Sequence, residues 1–355
     1  MNVCFRCDAN STIGFGHFYR CLSLADALSE LAISCTFLME NAPKSIISII
    51  KESAHRLLNC TVDESTEQLA HVKNAEKWII TLQRNNVTCN LLIVDYYKVE
   101  QQWITIVKPS VVNVMILNDS GKKWRDVDII WDASSMGIKD YQPISSSDDA
   151  TTFLLGPQYS LLRKEFQNKL IKTPCNKLSN TNNPFQLLIT IGATDPLNTT
   201  KKLLKWLQVL IFDIQINVLS TSANVHIKNL ITIYNDKPVN FFIDRTNIAE
   251  IMSSQDLIIT AAGNMMWEAF SLGKPCAILN TCDNQTRNVA LVTGQMRDVY
   301  LGKETDLDEL NVVHLLHELV NDSDKLSLLS LQALNICDGQ GANKTAKIIA
   351  NEIQK

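Results

Sequence analysis

Short unbroken apolar runs alternate along the chain with longer stretches whose apolar residues recur every three or four positions. Residues 1–7 (MNVCFRC) are such a run and predict a buried strand. Residues 18–32 (FYRCLSLADALSELA) carry Leu22, Leu24, Ala25, Leu28 and Leu31 at helical spacing and predict a helix. The alternation continues with a strand over 33–40, a helix over 41–54 and a strand over 90–97 that ends around Asp95. A run over 111–119, ending in Asp119, repeats that pattern, and 128–134 and 151–156 read as further short strands. Apolar runs without a polar face, separated by helices, predict a parallel sheet covered on both sides.

Residues 168–184 are polar and rich in Asn and Thr, and they break the pattern as a linker would. The pattern then restarts, with strands over 185–192, 214–220, 239–244, 256–263 and 275–280, a helix over 198–210 between the first two and a last helix over 343–354. No sequence repeat relates the halves. The expected fold is α/β: a Rossmann-like domain over 1–170 and another over 185–355, facing across a cleft, with ligands at the carboxyl ends of the strands.

A length of 355 residues suits two domains, and 46% apolar with 20% charged residues describes an ordinary soluble globular chain. A net charge of -4 gives no electrostatic footprint for nucleic acid. No apolar run is long enough for a transmembrane helix and the N-terminus lacks the pattern of a secretion signal, so no membrane insertion and a cytoplasmic location are expected. Ten cysteines, mostly in apolar runs, read as buried thiols. Cys4 and Cys7 form a CxxC pair, but inside the first strand rather than at a helix start.

Four loops after predicted strands carry the chemistry. In the first, Gly14 and Gly16 precede His17. A dinucleotide fingerprint would need a third glycine where Tyr19 stands, so a nicotinamide site is disfavoured. The glycines allow a tight turn, and a helix N-terminus favours the neutral imidazole, which accepts protons. His17 is thus either a general base or a cap of its own helix. The second loop, Gly192-Ala193-Thr194-Asp195, either lets a ligand approach the backbone or is a plain turn with Asp195 as a helix cap. The third runs from Ala261 through Gly263 to Asn264, where a helix start suits a phosphate; Glu268 follows, as a ribose-binding carboxylate or a solvated side chain. The fourth offers the amides of Asn284 and Gln285. His314 and His317 share a helix face but lack a third metal ligand, and the 95–97 strand end is either catalytic or structural.

Residues 5–28 (FRCDANSTIGFGHFYRCLSLADAL) resemble the N-terminal motif of the UDP-2,4-diacetamido-2,4,6-trideoxy-β-L-altropyranose hydrolases of pseudaminic acid biosynthesis: a strand, an IGxGHxxR loop, then a helix. The likeness continues through LLIVDYY, GPQYSLLRKEF, IGATDP, FIDRTNIAEIM, AAGNMMWEAFSLGKP and DNQ, in the family's order, to about residue 300. The first motif is fairly specific. The others are shared with two-domain glycosyltransferases of the GT-B type.

The resemblance implies a GT-B-like fold and hydrolysis of a UDP-sugar at the anomeric carbon, with no cofactor and no metal. His17 matches the family's water-activating histidine, and Tyr97 and Asn284 match further active-site positions. Glu268 matches the ribose-binding carboxylate, Ile243 the residue whose backbone reads uracil, and Gly263 and Asn264 the phosphate turn. Asp8, Gly14, Gly16, Arg20, Gly192, Ala193, Thr194, Met265 and Gln285 complete the expected substrate-binding set. The chain departs from the family at Ala193, where a second glycine is usual. It departs again at Met265 and Met266, where small hydroxyl residues are common, and at Asn118-Asp119, where two aspartates are usual. A glycosyltransferase on the same nucleotide site and a non-catalytic nucleotide-sugar binder are the alternatives. The N-terminal half shows no cluster of basic and aromatic residues of the kind an acceptor groove would use.

Overall fold

A computed structural model describes residues 1–9, 15–60, 70–96, 99–135, 137–141, 151–167, 184–208 and 213–354. The chain divides into two compact units, Met1–Arg163 with Gln340–Lys355, and Lys164–Gly339. Most of the polar segment expected as a linker, 168–183, lies outside the described residues.

The first unit is a seven-stranded parallel sheet. Its strands are β1 (Asn2–Cys7), β2 (Ser34–Glu40), β3 (Arg56–Cys60), β4 (Leu91–Asp95), β5 (Asn113–Leu117), β6 (Ile129–Asp132) and β7 (Thr152–Leu155). They lie in the order β3-β2-β1-β4-β5-β6-β7. The connecting helices are α1 (Gly16–Ser29), α2 (Lys44–Glu52), α3 (Ala70–Arg84) and α4 (Gln101–Val107). Strand alternation assigns the two cores. Val3, Phe5 and Cys7 join Phe18, Cys21, Leu24 and Leu28 of α1 on one face. Cys4 joins Trp78 and Leu82 of α3 and Trp103 of α4 on the other. The CxxC pair is therefore split across the sheet. The Cys4 thiol is pushed well above its ordinary range by its contact with the Cys89 thiol and by burial. Burial, with the Asp26 carboxylate nearby, pushes the Cys35 thiol up to about 12. Of the residues expected to line the helix face of α1, Leu31 lies beyond its end and is exposed, and Leu22 is half-buried.

The second unit repeats the winding with β8 (Phe185–Thr190), β9 (Ile214–Ser220), β10 (Val239–Ile243), β11 (Leu257–Ala261), β12 (Cys276–Asn280) and β13 (Tyr300–Lys303). The order β10-β9-β8-β11-β12-β13 is again all parallel. Its helices are α5 (Thr199–Leu207), α6 (Ile227–Ile233), α7 (Ile248–Ser253), α8 (Asn264–Ser271), α9 (Thr286–Thr293), α10 (Glu309–Asn321) and α11 (Ser323–Ile336). In both units the first strand is flanked by strands whose numbering runs in opposite directions. That reversal leaves an open crevice at the carboxyl ends of β1 and β4, and of β8 and β11.

The last helix, α12 (Gly341–Glu352), departs from the expected division at 185–355, because it belongs to the first unit. Ala342, Ala346 and Ile349, at helical spacing, are fully buried in the core beside α1. Gly341 starts the helix where a side chain has no room: a Cβ there would lie 2.3 Å from the carbonyl oxygen of Ser160. Among the described residues no helix is long and apolar enough to cross a membrane.

Candidate functional site

In the first unit the chemistry gathers at the β1/β4 reversal. Cys7 and Asp95 end their strands side by side in register. Odd positions of β4 face α1, so Asp95 points toward the start of that helix. His17 is the second residue of α1, preceded in the N-cap position by Phe15, which offers no side-chain acceptor. Its Nδ1 lies 2.7 Å from Asp95 Oδ1. Arg20, one helical turn on, binds both oxygens of the same carboxylate: Nε donates to Oδ2 at 2.5 Å and Nη2 donates to Oδ1. Its Nη1 donates to Asp119 Oδ2 at 3.0 Å, and its Cζ sits 5.5 Å from the centre of the Trp131 ring.

All three central side chains are buried, Asp95 to 2% exposure. Burial alone would raise the Asp95 carboxyl, but Arg20 and His17 outweigh it and hold it well below the usual carboxylate range. An ionised carboxylate against Nδ1 favours the tautomer that carries its proton there. Gly16 opens the helix and is exposed. Gly14 and Tyr97 lie outside the described residues.

A second polar group occupies the opposite face of the same strand ends. Arg6 is buried between the rings of Trp78, 4.7 Å away, and Tyr96, 4.3 Å away. Asp8 Oδ1 lies 2.7 Å from its Nη1 and also accepts the backbone N–H of Glu40 at 2.9 Å. Glu40 Oε1 stands 3.3 Å from Arg6 Nη2. Burial pushes the Tyr96 phenol up despite the neighbouring guanidinium. Asp8, expected to bind substrate, is thus tied to Arg6 and to the end of β2.

In the second unit the expected residues also stand at carboxyl strand ends. Gly192, after β8, has φ +111°, a backbone conformation that side chains rarely adopt. Ala193 and Thr194 are exposed beyond it, and the Ala193 carbonyl accepts from Thr221 Oγ1 at 2.8 Å. Asp195 is a helix cap: its two oxygens accept the N–H groups of Thr199 at 2.7 Å and Thr200 at 3.0 Å. Gly263 is the N-cap of α8, with no side-chain acceptor there and no acid in the first turn. A helix start without a side-chain cap or an acid favours an anion.

Asn264 is exposed, Met265 half-buried, and Met266 is fully buried and belongs to the core rather than to the turn. Glu268 is buried in the second turn of α8. The turn after β12 lies beside the α8 start: Gln285 Nε2 stands 3.5 Å from the position a Cβ on Gly263 would take, and Asn288 Nδ2 donates to the Ala262 carbonyl at 2.8 Å. Gln285 Oε1 accepts from the Thr281 N–H at 2.9 Å, and Asn284 Oδ1 lies 2.8 Å from Cys282 Sγ. Ile243 ends β10, half-buried, before a stiff turn in which Asp244, at φ +50°, accepts the Ser222 N–H.

The structure therefore brings His17, Arg20 and Asp95 together in one unit. In the other it brings Gly263, Asn264 and Gln285 together. His314 is exposed on α10, with its Nε2 4.0 Å from Glu318 Oε1. The sequence reading missed Asp119 as a counter-charge and Arg6 as a buried clamp. An arginine inside the first apolar run was the available signal, since a buried guanidinium requires acidic partners.

No protein-family model matches the chain. The uncharacterized protein MJ1062 of Methanocaldococcus jannaschii is 26% identical over 287 residues, which are 79% of this chain and 55% of that protein. The chain thus spans about half the length of that relative. The UDP-2,4-diacetamido-2,4,6-trideoxy-beta-L-altropyranose hydrolase of Campylobacter jejuni is 24% identical over 283 residues, covering 77% of this chain and 89% of the relative. Among solved structures, MurG of Acinetobacter baumannii superposes with a TM-score of 0.69 at 13% identity, over 99% of each chain. The fold is α/β of the GT-B kind, with two parallel sheets wound by helices.

Proposed function

We propose that the chain is a hydrolase that cleaves the anomeric C–O bond of UDP-2,4-diacetamido-2,4,6-trideoxy-β-L-altropyranose, or of a close UDP-sugar, in the cytoplasm. The products are UDP and the free diacetamido sugar, on the route to a nonulosonic acid such as pseudaminic acid. The observation that carries this reading is the His17–Asp95 pair at the β1/β4 reversal, in the motif that resembles the hydrolases. The relative of that name supports it over most of its own length.

In this reading His17 Nε2 takes a proton from water as the water oxygen bonds to the anomeric carbon. The bond to the diphosphate oxygen breaks, and its electron pair leaves on UDP. The α8 N-terminus at Gly263 and Asn264 faces the phosphates and lowers the cost of that charge. Glu268 holds the ribose hydroxyls and the Ile243 backbone reads uracil. The resemblance makes Tyr97 and Asn284 further catalytic residues and adds Gln285 and the 192–194 loop to the substrate-binding set. Each of these steps uses a side chain or a backbone N–H, so the expected reaction runs without a metal.

The test is UDP release from that UDP-sugar by the purified chain in EDTA with no acceptor. Prompt release supports the hydrolase. UDP binding without release turns the assignment to a different sugar, or to a transferase that needs its acceptor, the reading the MurG-like fold would favour. Glu268→Gln is expected to weaken UDP binding roughly tenfold or more, because an ionised acceptor is worth more to a hydroxyl than an amide. Calorimetry with UDP alone measures it, and an unchanged affinity removes Glu268 from the ribose site.

A further inference from the structure

The turn that begins α8 is held from one side by a residue outside the expected substrate-binding set. Asn288 is the third residue of α9. Its Nδ2 donates to the Ala262 carbonyl at 2.8 Å, immediately before the Gly263 N-cap. Its amide oxygen is buried and accepts from none of the described residues. A buried acceptor left without a donor costs stability. Leucine has nearly the same shape and would remove that cost, at the loss of one hydrogen bond to Ala262. Stability therefore gives asparagine little advantage at this position.

The peptide that joins Ala262 to Gly263 is fixed at both polar ends. Its carbonyl accepts from Asn288, and its N–H, on Gly263, donates to the Ala261 carbonyl at 2.8 Å. One residue earlier, the Ala262 N–H donates to the Leu279 carbonyl of β12 at 2.9 Å, and Ala262 itself is fully buried. The start of α9 is braced in turn against the end of β12. Asn280 Nδ2 donates to Thr286 Oγ1 at 3.1 Å, and Gln285 Oε1 accepts from Thr281 Oγ1 at 3.1 Å. Asn288 thus reaches the α8 turn from a firm base.

A helix start favours an anion through its N–H groups, and a carbonyl oxygen that swings in among them repels the same anion. We propose that Asn288 is a positioning residue for the phosphate turn: by holding the Ala262 carbonyl it keeps that oxygen turned toward α9 and sets the Gly263–Asn264 backbone for a diphosphate. This deepens the reading of Gly263 and Asn264 as the phosphate turn and rests on it. Asn288 acts through the backbone and needs no contact with the ligand.

The phosphates should sense this hydrogen bond and the nucleoside should not, since ribose and uracil are assigned to Glu268 and Ile243. The experiment measures the affinities of UDP and of uridine for the full chain by ligand-observed NMR, in the parent and in Asn288→Leu, alongside thermal unfolding. Asn288→Leu should weaken UDP binding roughly tenfold, the weight of one hydrogen bond, and leave uridine within about twofold of the parent. The Tm should stay within a few degrees, because the lost hydrogen bond and the removed orphan oxygen offset each other.

An unchanged UDP affinity overturns the proposal. So does a parallel loss for UDP and uridine, which would make Asn288 a general support of its unit. Should the leucine protein not fold, Asn288→Ala removes the same amide and gives the same comparison. Failure of the underlying reading shows separately: a parent that binds UDP no more tightly than uridine has no phosphate turn at α8, and the inference falls with it. A selective loss of UDP binding in a chain that releases no UDP from the sugar would instead remove the hydrolase and leave Asn288 in its role.

Discussion

His17→Gln should bind UDP as the parent does and release it from the UDP-sugar about 10²- to 10⁴-fold more slowly, the usual contribution of a positioned general base. The glutamine keeps a polar group at the second position of α1, so the helix start is preserved, but its amide does not take up a proton at neutral pH. The nucleotide determinants proposed here, Gly263, Asn264, Glu268 and Ile243, all belong to the other unit. Binding and turnover should accordingly separate. Calorimetry with UDP and a coupled assay for released UDP measure the two quantities on one preparation. Turnover within a few-fold of the parent would remove His17 from the mechanism. Loss of UDP binding would mean that the histidine holds the ligand rather than acts on water.

Much of this architecture is written in the sequence, for an identifiable physical reason. Strands buried on both faces are runs of apolar residues, and β1, β4, β5, β8, β11 and β12 are of that kind. The edge strand β3 (RLLNC) escapes the same reading, because its short run carries Arg56 and Asn59. Helix α3 was legible in principle: Ala75, Trp78 and Leu82 are buried at positions three and four apart. Helix α12 was legible as a helix but not as part of the first unit. What decides its place is Gly341 against Ser160 and three residues reaching into a core built some 300 positions earlier in the chain.

The site divides in the same way. His17 and its glycines stand out locally, and Asp95 is visible as an acid at a strand end. Their pairing depends on β4 lying next to β1, which is a statement about strand order. Arg20 illustrates the limit best. Its motif position suggests a ligand contact, whereas the fold commits its guanidinium to two carboxylates that lie 75 and 99 residues away in the sequence.

Asp95→Asn is expected to cost the first unit about 3 kcal/mol at neutral pH, the usual consequence of removing one partner from a buried charged pair. The amide keeps the shape of the carboxylate and presents donors to donors: its NH₂ meets Arg20 or the Nδ1–H of His17. For a unit of this size the loss corresponds to a fall in Tm of roughly 10 °C. The pH dependence gives a sharper test than the magnitude. Because Arg20 and His17 hold the folded carboxyl of Asp95 below its ordinary range, the stabilisation is fully present above the usual carboxylate titration near about pH 4. It drains away as the pH falls through the depressed folded value. The parent should therefore lose its advantage over Asp95→Asn progressively below about pH 4, and the two denaturation midpoints should converge. Turnover should fall as well, since the amide no longer fixes which nitrogen of His17 carries the proton. Midpoints that stay a constant distance apart down to about pH 2 would mean that Asp95 contributes through packing and hydrogen-bond geometry alone. The ion pair would then not be what holds the start of α1 against the end of β4.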